Sequence, residues 1–181
     1  MVSEKLQKIL ARAGCGSRRE IERWIKEERI TVNGKTAIIG DRASVEDAIR
    51  IDSKNINVSE NQRVRVLVYN KPEGEVCTKS DPEKRKTVFD SLPVIKGERW
   101  IAVGRLDIGT TGLLLFTNNG DLANKLMHPS SKVDREYLAR VHGVVDEEML
   151  QRLQEGILLD DGIAKFSDIV IGERIGTNGW Y

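Results

Sequence analysis

The front of the chain alternates first with helical and then with strand spacing. Leu6, Ile9, Leu10 and Ala13 fall at i, i+3, i+4 and i+7, the stripe of an amphipathic helix. Gly14 follows at the place where a left-handed cap ends such a helix. Ser17 opens a second helix, with Glu20 three residues on to complete a capping box. Ile21, Trp24 and Ile25 continue its apolar face. From Ile30 to Ile38 the pattern is a β-run broken at Asn33-Gly34, a strong hairpin signal.

Ser59 to Gln62 is polar and predicts a linker, so the expected division is a small domain over 1–61 and a larger one over 62–181. Arg63 to Tyr69 alternates as a strand does and ends in Asn70-Lys71-Pro72-Glu73-Gly74, where Pro and Gly force a turn. Trp100 to Val103 and Gly112 to Thr117 are further strands, the second apolar enough to be buried on both faces. Asp121 to Met127 predicts a short helix and Arg135 to Val141 another strand. A helix starting at Asp146 has acids in its first turn and Gly156 after its last. Ile157 to Leu159 and Ile163 to Ile171 flank Asp160-Asp161-Gly162 as a hairpin. Helices and strands interleave without a strict βαβ rhythm, which predicts the α+β class with a mixed, mainly antiparallel sheet and flanking helices.

Composition adds limits. Charged residues make up 31% of the chain and hydrophobic ones 39%, ordinary for a globular protein. No apolar run approaches the ~20 residues that span a bilayer. The start, MVSEKLQK, lacks the apolar stretch of a signal peptide, so a cytoplasmic location is expected. Cys15 and Cys77 stand in neither metal nor redox spacing and are expected as reduced, space-filling thiols. The net charge of +1 is too balanced to announce a nucleic-acid partner, but residues 1–35 hold nine Lys/Arg against five acids. Arg18 and Arg19 occupy the first turn of the second helix, where the helix dipole disfavours cations. An external phosphate explains that placement better than folding does.

Candidate chemistry gathers at Gly104-Arg105-Leu106-Asp107-Ile108-Gly109-Thr110-Thr111-Gly112, a glycine-flanked loop between two apolar strands. Loops held by rigid elements are where catalytic groups are often found. On residue types alone, a glycine-flanked Arg-x-Asp such as Arg105 and Asp107 reads more readily as a local ion pair or turn than as a catalytic carboxylate with a neighbouring cation. His128 reads as a helix-end residue and His142 as a strand residue. A hydrolase using Asp107 and His128 lacks a third member. No P-loop or metal-spaced cluster is found in the sequence.

Two resemblances narrow these alternatives. GCGSRREIERWIKEERITVNGK resembles the S4 RNA-binding module, in its order of short helix, Gly-x-x-Ser-Arg-Arg, helix and Val-Asn-Gly-Lys. That family grips RNA backbone with a basic helical surface. The resemblance implies RNA contacts at Arg12, Ser17, Arg18, Arg19, Lys26 and Lys35, which position an RNA but read little sequence. YNKPEG, AVGRLDIGTTGLLLFTNNGDLANKLMHPS and REYLARVHG, from about residue 63 onward, resemble the ribosomal pseudouridine synthases of the RsuA type. KPEGEVCT, SDPEKRKTVFDSLP and ERWIAVGRLD resemble the members acting on the large subunit.

The second resemblance implies an isomerase that converts one uridine of 23S ribosomal RNA to pseudouridine, with no cofactor and no metal. Asp107 matches the catalytic aspartate. Arg105 matches an arginine that fills the space left by the flipped base, Tyr137 a tyrosine that packs on the uracil, and Lys71 and Pro72 a brace for the catalytic loop. The implied partner is a 23S rRNA stem-loop or a large-subunit precursor, with no membrane and a monomeric state for the complete protein. Family members continue past the position of Tyr181 through a strand into a basic segment. The expectation is therefore a catalytic domain lacking its C-terminal part, with an open sheet edge that invites association. An inactive fragment, or a non-catalytic S4-type RNA-binding protein in ribosome assembly, are the alternative readings.

Overall fold

The computed structural model describes residues 3–59 and 63–181. Most of the expected linker, 60–62, lies outside them. Contacts divide the chain into two compact units, Met1–Val133 and Asp134–Tyr181.

The first unit opens with β1 (Glu4–Lys5), α1 (Leu6–Arg12) and α2 (Arg18–Lys26). The helical stripe predicts α1 well, although Ala13 lies just past its end and Gly14 supplies the left-handed turn with φ +78°. At the start of α2 the Ser17 hydroxyl accepts the Glu20 N–H at 3.1 Å, and the Glu20 carboxylate accepts the Ser17 N–H at 3.2 Å. These reciprocal bonds fix where the helix begins. A four-stranded antiparallel sheet follows, ordered β3-β2-β5-β6, from β2 (Ile30–Val32), β3 (Lys35–Thr36), β5 (Ile49–Ile51) and β6 (Lys54–Ile56). β4 (Arg42–Ala43) pairs with β1. Asn33 and Gly34 take φ +52° and +79° in the β2–β3 turn, as the twist of a two-residue hairpin requires. Leu6, Ile9, Leu10, Ile21, Ile25, Ile30 and Ile49 form one core beneath this sheet.

The rest of the first unit is built on β7 (Val66–Lys71), β8 (Ile101–Val103) and β9 (Gly112–Thr117), antiparallel in the order β7-β9-β8. α3 (Gly120–Met127) follows. Val88, Leu114 and Phe116 form a second core with Leu67, Tyr69, Phe89 and Leu106 against it. Phe116 meets Tyr69 and Phe89 edge-on, with ring centroids 5.9 and 5.5 Å away, a preferred aromatic geometry. The expectation that β9 is buried on both faces is not met. Leu114 and Phe116 point into the core, whereas Leu113 is 67% exposed, because the period-2 alternation of a strand places it on the opposite face.

The two cores are seamed together. A Cβ on Gly14 would come within 2.7 Å of the Gly97 carbonyl oxygen, so α1's end and the 97–98 backbone touch with no room for a side chain. Lys8 on α1 pairs with Asp121 on α3 at 2.7 Å.

The second unit holds β10 (Arg140–His142), α4 (Glu147–Glu155), β11 (Ile157–Leu159), β12 (Gly162–Ala164), β13 (Arg174–Ile175) and β14 (Asn178–Trp180). β14 lies between β10 and β13, and β11 pairs with β12. Asp146 caps α4 through the Met149 N–H, and Gly156 follows its last turn at φ +122°. The strand expected over Arg135–Val141 is shorter and later. It begins at Arg140, because the paired backbone starts at Ala139, whose N–H donates to the Tyr181 carbonyl at 2.8 Å. The run Ile163–Ile171 likewise stays extended only to Ala164, where β11 ends its pairing. Among the described residues no helix is long and apolar enough to cross a membrane.

Candidate active site

A buried lysine and two glycines set the loop that carries Asp107. Residues 104–111 connect β8 to β9, and the flanking Gly104 and Gly112 take φ +88° and +118°, values that L side chains resist. Lys71, the last residue of β7, pairs in register with Gly112 and is fully buried. Its Nζ donates to the carbonyls of Thr110 at 2.8 Å, Pro72 at 3.0 Å and Ile108 at 3.4 Å. Three acceptors match the three donor protons of a lysine ammonium, and together they tie down the backbone after Asp107. Gly74 adds an N–H to the Ile108 carbonyl at 2.9 Å, and Thr110 donates its N–H to the Asp107 carbonyl at 3.0 Å. Before Asp107, the Leu106 N–H donates to the Cys77 thiol sulfur at 3.3 Å.

Beneath the sheet a second buried charge stiffens the same region. Glu75 is 3% exposed and accepts from Tyr69 Oη at 2.6 Å, Lys86 Nζ at 2.7 Å and Ser91 Oγ at 2.9 Å. Burial alone would raise its carboxyl, but these donors hold it below the ordinary glutamate range. Burial, followed by the bond to Glu75, pushes the Tyr69 phenol up.

On this scaffold the side chains of Arg105 and Asp107 are both exposed. Among the described residues neither has a hydrogen-bond or ion-pair partner, so the local ion pair left open by the sequence does not form. An unpaired carboxylate on a pinned backbone keeps its lone pairs for an incoming molecule, and it can act as a nucleophile or take a proton. Tyr137 belongs to the second unit, is 57% exposed and precedes β10.

The residues expected to contact RNA divide into engaged and free. Ser17 spends its oxygen on the helix cap, Arg12 lies 2.6 Å from Glu4, and Arg18 lies 3.8 Å from Asp121. Arg19, Lys26 and Lys35 are exposed and carry no ion pair among the described residues. Sequence reasoning missed the Cys77 contact and the buried Glu75, whose surroundings no local pattern announces. His128 caps the turn after α3, its Nδ1 2.7 Å from Ser130 Oγ.

The family model described as RNA pseudouridylate synthase matches residues 65–168, more than half of the chain. The chain belongs to the RNA pseudouridylate synthase family. An S4 domain model matches residues 4–49 ahead of it. Curated relatives in this family include proteins named ribosomal large subunit pseudouridine synthase B. That of Haemophilus influenzae is 59% identical over 98% of this chain and 51% of its own length. That of Pseudomonas aeruginosa is 59% identical over 99% of this chain and 47% of its own, and that of Salmonella typhi 58% over 99% and 63%. The chain thus spans about half to five-eighths of these synthases' length. A crystal structure of a pseudouridylate synthase aligns with TM-score 0.58 at 23% identity, over 97% of this chain and 75% of that one, and shares the fold.

Proposed function

We propose that this chain acts as, or within, an rRNA pseudouridine synthase that isomerises one uridine of large-subunit (23S) rRNA, with Asp107 as the catalytic carboxylate. The observation that carries the reading is Asp107 itself: an exposed carboxylate without a partner among the described residues, on a loop that buried Lys71 holds by three carbonyls. In the reaction the bond from ribose C1′ to uracil N1 breaks, and a bond from C1′ to C5 forms. The C5 proton is lost and N1 gains one, so no electrons enter or leave. A carboxylate beside the glycosidic bond and a pocket for an extruded base meet these needs.

The same reading gives Arg105, two positions before Asp107, the place vacated by the flipped base, and gives Tyr137 the face of the uracil, where base–aromatic stacking is worth about 1–3 kcal/mol. Arg12, Ser17, Arg18, Arg19, Lys26 and Lys35 grip RNA backbone. Residues 1–61 act as the RNA-gripping domain and 62–181 as the catalytic one, in the cytoplasm, on a 23S rRNA stem-loop or large-subunit precursor. The complete protein works as a monomer.

The test is incubation of the 181-residue chain with a large-subunit rRNA transcript tritiated at uridine C5. Tritium released to water by the wild type, and lost in Asp107→Ala, supports the synthase. RNA bound tightly with no release, by this chain and by a form extended past Tyr181, favours a non-catalytic RNA-binding protein.

A further inference from the structure

The seam between α1–α2 and the synthase sheet is a cleft of about 170 Å³. Lys8, Arg12 and Arg18 line it from one side, and Arg99, Asn119 and Asp121 from the other. Most of its charges are already matched. Lys8 lies 3.3 Å from Glu4 and 2.7 Å from Asp121, and Arg12 lies 2.6 Å from Glu4. Arg18 reaches Asp121 only at 3.8 Å, a carboxylate that Lys8 already holds.

Arg99 stands apart. Among the described residues it has no carboxylate within ion-pair distance, and its buried Nε–H finds no acceptor; the same holds for the Nε–H of Arg12. Burial, and then the like charge of Arg18, press the Arg99 guanidinium below its ordinary range, with Glu20 offsetting only part. Glu20 is itself tied into the Ser17 cap. The first-turn N–H groups of α3 are donors and add no negative charge; those of Asp121 and Leu122 donate to Asn119 Oδ1. Two guanidinium groups therefore converge from different modules on one cleft with too little negative charge between them. Isolated folding disfavours that arrangement, and a bound anion reverses it.

We infer that an RNA backbone phosphate sits in this cleft, bridged by Arg18 from the S4 module and Arg99 from the synthase module. The inference rests on the RNA reading above and adds to it a residue outside the S4 motif. Guanidinium forks match the paired non-bridging oxygens of a phosphodiester. RNA is the source because Arg19, about 100° round the same helix turn from Arg18, is exposed and unpaired among the described residues, a second cation outside the cleft available to a further phosphate of a polyanion. Bound there, the RNA ties the two modules together.

The experiment is binding of a fluorescein-labelled large-subunit rRNA stem-loop to the 181-residue chain, read by anisotropy across a salt series. Arg99→Gln and Arg18→Gln are each expected to weaken binding about five- to tenfold at low salt and to reduce the log–log salt slope by roughly 0.7–0.9, the value of one phosphate contact. The double variant is expected to be scarcely weaker than either single one, because both remove the same contact. Arg99→Lys keeps the charge and is expected to retain the slope while losing part of the affinity; with unchanged melting temperature it guards against a folding artefact. Fully additive losses, or an Arg99→Gln slope equal to that of the wild type, overturn the shared phosphate. If Arg19→Gln weakens binding while Arg99→Gln does not, the RNA reading stands and the seam site falls. Wild-type binding without salt dependence sinks both.

Discussion

Lys71 Nζ donates to the Thr110 carbonyl at 2.8 Å, so the last residue of β7 holds the backbone three positions beyond Asp107. The two residues lie far apart in the chain, and the register Lys71↔Gly112 brings them together. A loop built this way owes its shape to a lysine from another strand as well as to its own flanking glycines.

Replacing Lys71 by Met keeps the volume and removes the donors. Stranded buried carbonyls cost about 1–3 kcal/mol, and that loss is expected in urea unfolding. Because the carbonyls belong to the loop that carries Asp107, the proposed reading expects turnover to fall further than RNA affinity. Equal losses of the two would make Lys71 a stability residue alone.

Asp107→Asn preserves shape and removes the charge. Tritium release is expected to drop by at least ~10²-fold, the lower range for a positioned acid–base or nucleophilic group, with RNA affinity within about twofold of wild type. A parallel collapse of affinity would assign Asp107 a structural role.

Glu75 predicts an acid limit to stability. A carboxyl held low in the folded state binds its proton more readily in the unfolded one. Its contribution is therefore complete above the unfolded value of about 4.3 and is lost as pH falls through the lower folded value. Thermal melting between pH 7 and pH 3 is expected to show the wild type losing stability below pH ~4.3 more steeply than Glu75→Gln, which starts lower at neutral pH. Parallel curves would remove Glu75 from the account.

Gly14 tests the seam. Its φ of +78° and the 2.7 Å that would separate an added Cβ from the Gly97 carbonyl oxygen combine strain with a backbone clash, each of order 1–3 kcal/mol. Gly14→Ala is expected to lower the melting temperature and to speed limited proteolysis of the chain beside Gly97. An unchanged cleavage pattern would show that the contact bears little on docking.

The parts legible in the sequence were those whose causes are local. Ser17 and Glu20 announce their helix within four positions, and Asn33-Gly34 fixes its turn through two dihedrals. Leu113 misled because an apolar run does not say how many layers cover a strand, and only the sheet's alternation places it outward. The strand near Arg135 misled because its start depends on where Tyr181 offers a partner. At the candidate site, the Gly-Arg-Leu-Asp loop was visible by its glycines and by family likeness. Cys77 against Leu106, and Arg99 across from Arg18, were not, since each contact is made between segments that carry no shared pattern.

The close approach of Gly14 to Gly97 also bears on target choice. Because backbone meets backbone there, the end of α1 cannot slide over residues 97–98 without a clash or a gap, which restrains the span from the S4 helices to the Asp107 loop. On the proposed reading, the protein then works as a calliper. A uridine qualifies by its distance from the duplex segment being held, and RNA that folds to the wrong span is refused before its bases are inspected.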